Sequence, residues 1–251
     1  MPAVRALPLL LTGERTLPGI WHENYWFRRH EAGYAAAAAW LPIAGTVVDA
    51  GAGEGYGAAL LRIGRRHVIA LDYDAAAVRH ASQTYAVPTA RANLVAWPLG
   101  DRRVLAVVSL QVIEHLWDQP RFVAECGRVL TGDGVLVLST PNRPTFSPGV
   151  GRGRPPLNPF HVNEYDAEEL SDLLSRCFAR VDLYAVSHGG RIQVWEGAHG
   201  SVVQAQLATA PTEWSAPLAD LVRSITTDDF KITDRINGDA LDLLAIARSP
   251  R

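Results

Sequence analysis

Asp49, Gly51, Gly53 and Gly55 alternate within residues 46–61, TVVDAGAGEGYGAALL, and that spacing describes a ligand cradle. The glycines let the backbone turn tightly and let a ligand approach where a Cβ would block it. Helix formers follow at 58–61, so the free N–H groups of a first helical turn sit beside them. The segment 53–58 also satisfies the G-x-G-x-x-A form of the dinucleotide fingerprint, so two cofactor classes compete. Asp49 discriminates between them. A carboxylate just before the glycines repels a pyrophosphate but suits the ammonium of a bound amino-acid moiety. Asp72 stands about 20 residues beyond the glycines, the distance at which a carboxylate meets two ribose hydroxyls, and Tyr73 beside it is placed to pack on the base. Further along, His115 and His161 are candidates for a base, because imidazole titrates near neutral pH, with Glu114 as a neighbour that orients or caps.

These residues need strand ends to hold them. Val47 and Val48 read as a buried parallel strand, and 67–72 as a second, ending in Asp72. Asp74 reads as the N-cap of a helix over 75–85. A short third strand falls within 88–98, a fourth over 103–110, a fifth over 135–140, a sixth over 178–186 and a last over 240–247. Between them lie an amphipathic helix over 119–130, ended by Gly132 and Gly134, and another after the N-cap Asp166. Ahead of the first strand, Trp21, Tyr25, Trp26 and Phe27 open a helix that needs a surface to bury them. The reading is one α/β domain over 1–251. Residues 1–40 form an arm and cap, 141–165 a lid loop rich in Pro, Gly and Arg, and 187–237 an insertion with helices over 201–208 and 214–226.

Composition narrows the function classes. Of the 251 residues, 48% are hydrophobic and 20% charged, which fits a globular protein and excludes a disordered chain. The apolar run 7–11 is too short for a membrane span and holds Pro8. A net charge of -2, with arginines in pairs and no stripe, argues against nucleic acid as partner. Cys126 and Cys177 have no C-x-x-C spacing and read as small apolar residues of a cytoplasmic protein. The acids Glu114, Asp118, Glu164, Asp166, Asp228 and Asp229 are scattered, so a divalent cation is allowed but no metal-ligand spacing demands one.

The pattern Asp49-x-Gly51-x-Gly53-x-Gly55 resembles motif I of class I S-adenosylmethionine-dependent methyltransferases, and the motif order matches from 46 to 140. The resemblance implies a Rossmann-like seven-stranded, mostly parallel sheet whose last strand is antiparallel, with helices on both faces. It implies S-adenosyl-L-methionine as cofactor. Asn93 then meets the adenine amino group with the Leu94 backbone beside it, and Arg28 or Arg29 clamps the methionine carboxylate. QVIEHL at 111–116 resembles the post-strand signature of quinone-biosynthesis methyltransferases, placing Gln111 along the methionine arm and His115 toward the methyl. A narrower likeness joins TGER at 12–15, ENYWFRRHEA at 23–32, QVIEHLWDQ at 111–119, STPNRPTFSPG at 139–149 and NPFH at 158–161. These resemble an actinobacterial methyltransferase group associated with methylglucose lipopolysaccharide assembly, which implies a saccharide acceptor methylated on a glucose hydroxyl, mainly O6. The alternatives are a quinone-type or other small-molecule methyltransferase, an NAD-dependent oxidoreductase, and a cofactor-binding but inactive subunit.

Overall fold

The computed structural model describes residues 15–251, so residues 1–14 of the expected N-terminal arm, the first three residues of TGER among them, lie outside the described part. Eight strands form one sheet in the order β3-β2-β1-β4-β5-β8-β6-β7. They are β1 (Ala44–Ala50), β2 (Arg65–Asp72), β3 (Thr89–Arg91), β4 (Val104–Leu110), β5 (Leu130–Pro141), β6 (Phe178–His188), β7 (Phe230–Thr233) and β8 (Asp242–Pro250). β1 to β5 run parallel to one another, while β8 lies antiparallel between β5 and β6. The order turns back between β1 and β4, the place where open α/β sheets bind ligands beyond their strand ends.

Neighbouring residues of the central strands face opposite sides, and both sides are dry. Val47, Val108, Val137 and Ile246 join one core, Val48, Val107, Leu136 and Ala245 the other. Double burial explains why these strands read as unbroken apolar runs. The first core is closed by α1 (Asn24–Trp40) and α2 (Tyr56–Leu60), the second by α4 (Gln119–Val129) and α6 (Ala167–Ser175). Of the four aromatics before and in α1, Tyr25 and Phe27 are buried, whereas Trp21 remains exposed and meets Trp214 edge to face at 5.7 Å.

Three boundaries depart from expectation. β5 begins at Leu130, and its pairing jumps from Val104↔Leu130 to Ala106↔Val135, so Gly132 and Gly134 sit in a bulge of the strand rather than in a helix terminus. The insertion contains a helix that its glycines conceal, α7 (Gly190–His199), besides α8 (Val202–Ala208) and α9 (Ala216–Ser224). Its anchor is tertiary: the buried His188 ring bonds Tyr25 Oη at 2.7 Å and Glu196 of α7 at 3.0 Å. The insertion also returns β7 to the sheet edge, an eighth strand added to the expected seven. Asp74 caps α3 (Ala75–Tyr85) through Ala76 N, and Asp166 forms a capping box with Glu169, as the sequence indicates. Cys126 and Cys177 are free thiols, and among the described residues no helix is long and apolar enough to cross a membrane.

Candidate active site

The chain leaves β1 at Asp49 and Ala50 and turns at once. Gly51 N and Ala52 N both donate to the Leu71 carbonyl, at 2.8 and 3.0 Å, so the turn stays tied to β2. Gly51 has φ +84°, and a Cβ there would lie 2.4 and 2.8 Å from the two Val112 methyls. Gly51→Ala is therefore expected to cost about 1–3 kcal/mol for the left-handed backbone alone, with the clash added. Urea unfolding measures it, and an unchanged midpoint would show that the turn relaxes.

Asp49 is fully buried, and the Tyr34 hydroxyl donates to both its oxygens at 3.0 and 3.2 Å. Burial pushes its pKa up to about 7, against the lowering effect of the Tyr34 hydrogen bond. Asp72 accepts from Gly53 N and from Asp74 N, both at 2.8 Å, and so fixes the glycine turn to the end of β2. Tyr73 is 68% exposed with the Arg91 guanidinium 5.2 Å from its ring centre. Asn93 is exposed at the turn after β3, where its side-chain oxygen accepts from Val95 N at 3.1 Å, and Leu94 is buried behind it.

A second layer supports this turn. Half-buried His30 donates from Nε2 to the Leu110 carbonyl at 3.2 Å and lies 2.5 Å through Nδ1 from the Tyr56 hydroxyl, which meets Thr16 Oγ1 at 2.9 Å. Burial pushes the His30 pKa down to about 4, so the ring is neutral. Arg15 pairs with Asp74 at 3.1 Å, which lays residues 15 and 16 beside the glycine turn. Sequence reasoning missed His30 and Tyr34. Their signal was present: they stand four apart on α1 and therefore share one helix face.

After β4 the backbone is strained. Gln111 has φ +57°, its N–H donates to the Ser139 carbonyl at 3.0 Å, and its amide donates to Ser139 Oγ at 3.1 Å and Asp242 Oδ1 at 3.2 Å. Asp242, at the start of β8, takes two hydrogen bonds from Arg29, one of 2.8 Å from Nε and a shorter one from Nη2. Both arginines of the expected carboxylate clamp have carboxylate partners within the protein. Arg29 faces Asp242, and Arg28 faces Glu31 at 2.7 Å and Asn24 at 3.3 Å.

Three residues later the chain carries Glu114 and His115. Glu114 is buried, accepts from Thr140 Oγ1 at 3.1 Å, and has its pKa pushed up to about 7 by burial, with His161 and Thr140 among the groups that oppose the rise. Its carbonyl accepts from Val162 N at 2.7 Å, which docks the end of the 141–165 loop onto the post-β4 turn. There the His115 and His161 rings meet edge to face, centres 4.9 Å apart. His115 Nδ1 donates to the Phe160 carbonyl at 3.2 Å, and His161 Nδ1 to the buried Glu164 at 2.6 Å. The loop is held at its base by buried Arg143, whose guanidinium pairs with Asp166 and, at 2.7 Å, with Glu169. Its one regular piece is the single turn α5 (Arg143–Phe146).

A glycine turn at the end of β1, an acid closing β2 and a polar turn after β4 define a Rossmann-like class I methyltransferase fold. Residues 48–138 match the methyltransferase domain family. A probable S-adenosylmethionine-dependent methyltransferase of Mycobacterium tuberculosis is 48% identical, over 96% of this chain and 90% of the relative. Another, from Mycolicibacterium smegmatis, is 48% identical over 98% of both. The chain belongs to this family of S-adenosylmethionine-dependent methyltransferases. At 15% identity, a solved Thermotoga maritima methyltransferase, described as a possible histamine N-methyltransferase, shares the fold with a TM-score of 0.63 over 90% of this chain and 93% of its own. The cofactor is S-adenosylmethionine, and the cradle fits it: a buried carboxylate stands beside a turn where a Cβ has no room.

Proposed function

We propose that the enzyme methylates a sugar hydroxyl, glucose O6 of a glucan in methylglucose lipopolysaccharide assembly. The observation that carries the proposal is the His115–His161 pair, held together at the edge of β4 by the loop that carries the NPFH likeness. S-adenosylmethionine supplies a methyl group on a positively charged sulfur. Asp49 takes its ammonium, Gly51, Gly53 and Gly55 admit its backbone-facing edge, Asp72 and Tyr73 meet its ribose and base, Asn93 and Leu94 its adenine, and Gln111 its methionine arm. A sugar hydroxyl is a weak acid, so the protein's remaining task is to align it and ease the loss of its proton. His115 and His161 face that task, with Glu114 and Glu164 orienting them. Residues 1–251 act as one catalytic domain, with 1–40 as cap, 141–165 as acceptor loop and 187–237 as a packing insertion.

His115→Ala is expected to lower turnover about 10²–10⁴-fold while cofactor affinity stays within about twofold. Turnover equal to the parent's would remove His115 from the chemistry. Radiolabelled methyl transfer to a panel of glucans, mannans and quinones tests the acceptor. Label in the glucan fraction at O6 supports the reading, and label in the quinone alone replaces it with the quinone-type alternative.

A further inference from the structure

We infer that Glu114, His115 and His161 form a binding site for one divalent first-row transition ion. Each offers one ligand atom, a carboxylate oxygen or an imidazole nitrogen, and the three atoms all lie within 4.8 Å of one another. Two imidazoles and one carboxylate, without thiolate, suit Mn²⁺, Co²⁺ or Zn²⁺ better than the hard ions Mg²⁺ and Ca²⁺, which favour all-oxygen sets.

The surroundings are those of a built site. A carbonyl and a carboxylate accept only, so His115 and His161 donate from Nδ1, toward Phe160 and Glu164, and in the neutral ring the lone pair stands on Nε2. Metal-binding histidines are oriented by such bonds at the far ring nitrogen. The Asn158 amide nitrogen lies 3.0 Å from His161 Nε2, a neutral donor that a cation would displace. Glu164 supplies a second, independent observation. Its side chain is fully buried, and its Oε2 has no hydrogen-bond partner. A buried half-satisfied carboxylate is costly unless positive charge lies near it, and a cation on the far side of His161 provides that charge through the ring. The sequence hid the set because Glu114 and His115 leave β4 while His161 arrives from the end of the long loop.

The purpose of the ion rests on the acceptor reading above, though its binding does not. As a Lewis acid it would hold the acceptor hydroxyl and lower its pKa, the proton passing to water. His115 and His161 then act as ligands, and Glu164 as a positioning residue for His161.

The test titrates the untagged, chelator-stripped full chain with Co²⁺ and Zn²⁺ by calorimetry and visible absorption, with Mg²⁺ for comparison. One ion per chain is expected. Its affinity should fall at least about a hundredfold in His115→Ala and His161→Ala, and about 10–100-fold in Glu164→Gln, while S-adenosylmethionine affinity, the check on folding, is kept. Crystals of the parent protein soaked in Co²⁺ should show an anomalous peak among the three residues, a result that needs no variant. Absence of saturable binding, binding as tight as the parent's in both histidine variants, or a peak elsewhere overturns the site. An ion bound with no glucan methylated sinks the sugar acceptor and leaves the site standing, and a methylated glucan with no ion bound does the reverse.

Discussion

Arg29→Ala is expected to lower the stability of the chain by about 3–5 kcal/mol, which for a domain of this size moves the unfolding midpoint by about 2–4 °C per kcal/mol. Arg29 and Asp242 are both buried, and their two hydrogen bonds join α1 to the first residue of β8. Removing the guanidinium leaves Asp242 buried with only neutral donors, the Gln111 amide at 3.2 Å among them. The loss measures that stranded charge more than the worth of the pair itself. The double variant Arg29→Met with Asp242→Leu should therefore recover most of the stability while turnover falls, because the Gln111 side chain then loses two of its three partners and keeps only Ser139. Chemical denaturation of the two single variants and the double gives the coupling. A single variant within about 1 kcal/mol of the parent would mean that water reaches the pair.

Asp49→Asn is expected to weaken S-adenosylmethionine binding at least about a hundredfold, near 2.7 kcal/mol, while unfolding stability near neutral pH stays level or rises. The two responses separate because burial works against the ionised carboxylate, whereas the cofactor ammonium, placed beside it as proposed, would work for it. The Asp49 pKa stands at about 7 in the folded chain against an ordinary value of 3.8. Between those values the folded state holds a proton that the unfolded chain has released, so this group makes stability fall as pH rises through the window. Glu114, also raised to about 7, adds a slope of the same sign, and Asp49→Asn should remove only the Asp49 share. Cofactor binding runs the other way: affinity should drop as pH falls below about 7, with proton release on binding. Calorimetry in buffers of different ionisation enthalpy reads that proton, and a buffer-independent heat near pH 6.5 would contradict the assignment.

What the sequence disclosed was local. Asp49, the glycines and Asp72 stand at fixed distances along one strand–turn–helix–strand unit, and Asp74 and Asp166 cap helices within a few residues of themselves, so spacing alone places them. Features joined across the chain stayed hidden. Arg28 and Arg29 look alike as neighbours in a string, and only the arrival of β8 decides that one is buried against Asp242 while the other faces Glu31. Tyr34 became the partner of Asp49 through helix packing, and α7 was masked because glycines disfavour a helix that His188 and the underlying core nevertheless hold.

The Arg143 staple has a consequence for how relatives of this enzyme can diverge. Both feet of the loop are fixed, one by Arg143 against Asp166 and Glu169, the other by Val162 on the Glu114 carbonyl, while the glycine-rich stretch 149–153 between them is exposed apart from Val150. Apart from Arg152, which pairs with Glu169 at 3.0 Å, that tip can drift in length and composition without disturbing the imidazoles at its root. Grafting the tip of one homologue onto another should therefore change which acceptor is preferred and leave the Kd for S-adenosylmethionine untouched.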